Sequence, residues 1–214
     1  NASNLITVNP DGFNISDFDI SNREQKIALN SQQPGMNAPL QVDITNFRLS
    51  TITAALDQES FEVEGILNSN ITISDLQQTI PTMNGVVKID SILYQKMQVG
   101  NLALEASAIN EKVQVDGKLT GYGNNVDING NYSNENLDIK INLDSLTLAT
   151  VQAFSAGNLV RSNGNISGPV NIIGKVDNPT WNGQINFNNA QTTIAQFGTF
   201  VKINGQAIQL QYPE

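Results

Sequence analysis

Shifted by roughly 98 residues, this chain lies over itself, and that internal repeat limits the folds open to it more than any other feature. Leu40-Gln-Val-Asp-Ile-Thr45 falls on Leu137-Asp-Ile-Lys-Ile-Asn142, and Gly65 falls on Gly164. Ile71 and Ile73 fall on Val170 and Ile172, and Pro81-Thr-Met-Asn-Gly85 falls on Pro179-Thr-Trp-Asn-Gly183. Val87 and Ile89 then meet Ile185 and Phe187, and Leu102 and Leu104 meet Ile208 and Leu210 after a longer second insertion. One strand match can arise by chance, but not a Pro-Thr-x-Asn-Gly motif in register with a glycine and two strands.

The repeated units are strands. Apolar and polar residues alternate with a period of two: Val42 and Ile44 against Asp43, and Phe61 and Val63 against Glu62 and Glu64. Val113 and Val115, Val126 and Ile128, Ile139 and Ile141, Ile185 and Phe187, Val201 and Ile203, and Ile208 and Leu210 continue it. Each segment sets aliphatics on one face and polar groups on the other, as an antiparallel sheet with one wet face requires. Turn signals separate the strands at Pro10–Gly12, Gly121–Asn125, Ser133–Asn136, Asn182-Gly183 and Asn204-Gly205. Only Thr51–Leu56 and Ala149–Phe154 read as short helical stretches, and they occupy matching places in the two halves. The expectation is an all-β fold: one elongated, open, curved antiparallel sheet built from two repeats, 1–100 and 101–214, without a linker between them. Both ends of such a stack present unpaired edges, which fits a piece cut from a longer array. Asn1 opens the sequence without Met, which agrees with a processed chain or a fragment.

Composition excludes more than it proposes. The net charge of -9 argues against nucleic acid and against docking on an anionic bilayer through a basic patch. The chain has no Cys, hence no thiol nucleophile, disulfide or zinc-thiolate site, and no His, the commonest general base and metal ligand. No apolar stretch approaches the roughly 20 residues of a spanning helix. Abundant Asn, Thr, Ser and Gly with 14% charged residues match an exported bacterial β protein.

Candidate chemistry is thin. The glycines between Gly157 and Gly174 contain no phosphate-loop motif and read as strand turns and bulges. Asp17 and Asp19 have no calcium loop around them, and the remaining acids (Asp43, Glu62, Glu64, Asp116, Asp138) are scattered on outward positions. Trp181 lies over Met83 in the repeat and reads as a packing residue. The sequons at Asn14, Asn70, Asn131 and Asn165 are what so Asn-rich a chain contains by chance. No catalytic residue, cofactor or metal ligand is expected.

The aliphatic rows remain. Aromatics are only 6% of the chain, and the inward set is mostly Val, Ile and Leu, which suit a smooth trough better than a thick core. Alternation places Val42, Ile44, Val63, Ile73, Ile89, Leu104, Val115, Ile139, Ile141, Ile172, Ile185, Phe187, Ile203 and Ile208 on the apolar side as trough lining. A single open sheet has no second layer, so that face calls for a hydrophobic guest, either acyl chains or a polypeptide.

The segment from Asn163 to Ala190 carries a recurrent pattern of glycines, alternating aliphatics and a Pro: Gly164, Ile166, Gly168, Val170, Ile172, Gly174, Pro179, Gly183, Ile185, Phe187. It resembles the C-terminal region of TamB-like proteins of the AsmA superfamily. Asp19–Leu29 through Asn46–Leu49 resembles their Bacteroidetes members. The likeness covers most of the chain and is densest over 163–210; the first repeat departs from it, with Ser69 and Ser74 where the second has Gly168 and Gly174. The resemblance implies a β-groove, or β-taco, within a protein anchored in the inner membrane and spanning the periplasm of a Gram-negative bacterium. It implies phospholipid movement toward the outer membrane. The alternative it implies is a scaffold or chaperone for barrel assembly and secretion, working by edge-strand templating with an outer-membrane barrel-assembly (TamA-like) partner.

Overall fold

The computed structural model describes residues 4–55 and 62–212. A short hairpin of β1 (Leu5–Asn9) and β2 (Gly12–Ser16) precedes a single antiparallel sheet of 13 strands that is not closed into a barrel. The sheet follows chain order through β3 (Phe18–Asn22), β4 (Gln25–Ser31), β5 (Leu40–Arg48), β6 (Val63–Ser74), β7 (Thr82–Tyr94) and β8 (Met97–Ile109). It continues through β9 (Lys112–Gly121), β10 (Asn124–Ser133), β11 (Asn136–Thr147), β12 (Leu159–Lys175) and β13 (Asn178–Ile194). Two short strands, β14 (Thr199–Ile203) and β15 (Gln206–Tyr212), share the far side of β13. The expected all-β, open, curved sheet is what forms, and β8 runs through residue 100 as one strand, although its register with β7 slips on both sides of Gly100.

Hairpin chemistry sets the register. Gln95-Lys96, Asn110-Glu111 and Asn134-Glu135 all hold positive φ at both turn residues, the mirror-image turn whose twist matches the flanking strands. Asn182-Gly183, a turn signal in the sequence, lies inside β13 instead. The reason is close approach. A Cβ on Gly183 would meet Pro169 O and the Val170 Cα on β12, and one on Gly85 would come within 2.9 Å of the Ile71 Cα on β6. These are equivalent places in the two repeats, so the Pro-Thr-x-Asn-Gly motif begins a strand and then lets it press on its neighbour. Gly183→Ala should therefore lower stability by about 1–3 kcal/mol through overpacking against backbone; thermal melts of the variant check this.

The other matched glycines sit at bulges. Gly65 (φ +152) and Gly164 (φ +87) lie where the ladders β6–β7 and β12–β13 slip register. Just upstream of each is a short helix, α1 (Leu49–Ala55) and α2 (Leu148–Ala153), where the sequence suggested helical stretches; Leu56 lies outside the described residues, as does Phe61. The longer second insertion is the 3-10 turn Ala195–Phe197 together with β14.

Candidate functional site: an apolar trough with one plugged mouth

Directly opposed residues in antiparallel strands share a face, so the register itself draws the trough. One row joins Val42, Ile71, Gly85, Ala106 and Val115, then Gly130, Ile139, Ile172, Trp181 and Tyr212. The next joins Ile44, Ser69, Val87 and Leu104, then Gly117, Ile128, Ile141 and Val170. A third joins Ile89, Leu102, Leu119, Val126 and Leu143, and Ile185 with Ile208 continue it on β13 and β15. Ile73, opposite Leu40 and Met83, belongs to the row at the other end of the strands, and Phe187 pairs with Ile166 beyond the third row.

Two expected lining residues stand apart from these rows. Val63 lies past the bulge of β6, opposite Tyr94, and Ile203 pairs with Ala190 on the stretch of β13 beyond Asn189, whose φ is +48. A bulge shifts the register there, so the two leave the rows; Val63 faces Tyr94, which stacks on Phe154 at the end of α2, and Ile203 faces the buried Ala190.

Burial is uneven along the trough. Val126, Leu143 and Ile185 are buried and pack with Leu119, Ile128, Ile141, Leu146, Ile166, Val170, Phe187 and Leu210. Away from that cluster most of the lining is only half-buried, with Ala108 an exception, and Trp181 and Ile208 keep 47% and 48% of their surface exposed. Among the described residues no large side chain is fully buried. That is the signature of an apolar face lacking its second layer.

The deep end is closed by α2, a feature that alternation alone did not reveal. Asn124 falls on the inward series of β10 with Val126 and Ile128, yet it is polar and 4% exposed. Its Nδ2 donates to Val99 O and to Thr150 Oγ1, both at 2.7 Å, while its Oδ1 accepts from the Thr147 N–H at 2.8 Å. Thr147 caps α2 by accepting from the Thr150 N–H at 3.3 Å. Gln152 bridges two strands: Nε2 donates to Met97 Sδ on β8, and Oε1 accepts from the Ser162 N–H on β12. In a flat sheet those strands, four ladder steps apart, would be separated by ~19 Å. One amide reaches both because the sheet curls around α2. Phe154, at the helix end, stacks on Tyr94 with ring centroids 4.6 Å apart.

The outer face is a polar ladder. Asn70 and Asn129 donate to Asp43 and Asp116, and Asn125 and Asn142 both donate to Asp144. Lys118 pairs with Asp127 at 2.7 Å, a hydrogen bond that raises the ammonium pKa above its ordinary value. Two crevices lie at the rims, one of about 530 Å³ beside Phe13, Ala38 and Leu76, and one of about 540 Å³ beside Arg23 and Arg48. Asp17 sits between β2 and β3 and Asp19 on β3, and no set of three or more metal-ligating side chains occurs among the described residues. Adding calcium, zinc, magnesium or ATP should therefore leave the thermal midpoint unmoved, and a clear rise with any of them would refute this.

No protein-family model, curated protein or solved structure matches this chain.

Proposed function

We propose that this chain is a non-catalytic β-groove segment whose concave apolar face holds phospholipid acyl chains, as part of a TamB-like protein. That protein would be anchored in the inner membrane of a Gram-negative bacterium and carry lipid across the periplasm in outer-membrane biogenesis. The observation that carries the reading is the set of apolar rows running from β5 to β15 without a covering layer or a fully buried large side chain among the described residues. Contiguous exposed apolar surface of this kind marks a binding face. The resemblance of 163–210 to TamB-like repeats supplies the biological setting.

A photo-crosslinking amino acid at Ile172 tests it. Adducts with phospholipid are expected there, and none at Asn171, which the pleat turns to the polar face. Adducts with polypeptide instead would favour the second reading, a scaffold for barrel assembly and protein secretion. One observation supports that alternative: among the described residues β15 bonds to β13 along one side only, and Ile208 and Tyr212 on it are exposed. Such an edge offers a template for a client strand.

A further inference from the structure

The trough has two different mouths, and the difference assigns a direction to its guest. At one rim α2 lies on the concave side, since inward-facing Asn124 binds its Thr150 and Gln152 spans from β8 to β12. Leu148 and Ala153 of α2 are buried, at 7% and 1% exposure, so the helix is packed into this mouth. The opposite rim is formed by the turns β4–β5, β6–β7, β8–β9, β10–β11 and β12–β13; the β1–β2 hairpin packs at its β4–β7 end, and from β8 to β13 no helix among the described residues covers it.

Depth and charge narrow the guest. From Leu143 beside α2 back to Leu137, the inward residues of β11 cover six steps, or ~20 Å. One leaflet of a bilayer is ~15 Å of hydrocarbon, half of the ~30 Å core. The trough is thus deep enough for acyl chains of leaflet length lying end-on along the strands. At the open rim the exposed acids Asp75, Glu111, Glu135 and Asp177 outnumber Lys112 and Lys175. An anionic head group placed there meets net repulsion, whereas a head whose outer group is an ammonium does not.

We propose that the trough is blind at α2 and takes its guest tail-first from the opposite rim, the guest being a phospholipid without net negative charge. This rests on the lipid-holding reading above.

Trp181, the single tryptophan, reports the orientation. It lies in the row through Ile139 and Ile172, toward the open rim from Leu143, and is partly exposed. The wild-type chain is loaded from vesicles of phosphatidylcholine carrying a nitroxide either near the head group or at the chain terminus, then freed of vesicles by gel filtration. The label near the head group should quench Trp181 several-fold more than the terminal label. Equal quenching, or stronger quenching by the terminal label, overturns the blind-ended orientation while leaving lipid holding intact. No retained lipid at all overturns the lipid-holding reading itself, and this inference with it. In a second arm, phosphatidylglycerol with the same chains should be retained about fivefold less at low salt, the factor for one close charge repulsion in water. The gap should shrink as salt is added. Equal or better retention of the anionic lipid overturns the assignment of the head group.

Discussion

Asn124→Ala should destabilise the protein by about 3 kcal/mol or more, among the largest effects of any single polar substitution in this chain. The side chain serves three partners in a site with almost no solvent, and Ala satisfies none of them. Val99 O, the Thr147 N–H and Thr150 Oγ1 would each lose a bond where water enters poorly, at about 1–3 kcal/mol apiece before relaxation. For a chain of this length that corresponds to a fall in melting midpoint of ~6–12 °C. The consequence extends past stability, because Asn124 is the peg that holds α2 in the deep mouth. The neighbour Asn125 is the control: it donates to Asp144 on the wet face, so Asn125→Ala should cost under ~1 kcal/mol. Equal losses in the two variants would mean that the Asn124 cluster does not anchor the helix.

The second large effect is on occupancy rather than on folding. Ile172 stands in the half-open row between Ile139 and Trp181, whereas Ile141 packs with the buried cluster of Val126, Leu143 and Ile185. An isolated carboxylate in an apolar site costs several kcal/mol unless it reaches water. In the empty trough the Asp of Ile172→Asp reaches water, so that variant should fold and lose bound lipid. Ile141→Asp should lose lipid and also melt markedly lower. Asn171→Asp, on the outer face, should retain lipid; Asn142→Asp is the poorer control because the Asn142 amide donates to Asp144. If Ile172→Asp unfolds outright, the inner face is a sealed core and the trough reading fails. Chemical denaturation followed by circular dichroism separates the two outcomes.

Much of this architecture was legible in the residues because a sheet with one wet face writes itself as period two. The rows through Val115, Ile139 and Ile172 follow from alternation once the strands pair in chain order. The repeat was legible for a related reason: Gly65 and Gly164 sit at bulges, and Gly85 and Gly183 press on a neighbouring backbone, positions where a side chain does not fit. What alternation hides is any residue that breaks it. Val63 and Ile203 lie beyond bulges, where the register shifts and the rows are interrupted. Asn124 read as part of a Gly- and Asn-rich turn because polar residues near glycine usually are; the turn is in fact Tyr122-Gly123, and Asn124 already faces inward. The plug formed by α2 depends on contacts between strands far apart in the ladder, and no local pattern encodes those.

The most direct measurement is mass spectrometry of an organic extract from the purified chain, taken beside the same extract from folded Ile172→Asp. Lipid holding in the trough predicts phospholipid from the wild type at near one guest per trough and almost none from the variant. Wild-type protein free of lipid, or a folded variant carrying as much lipid as the wild type, would contradict it.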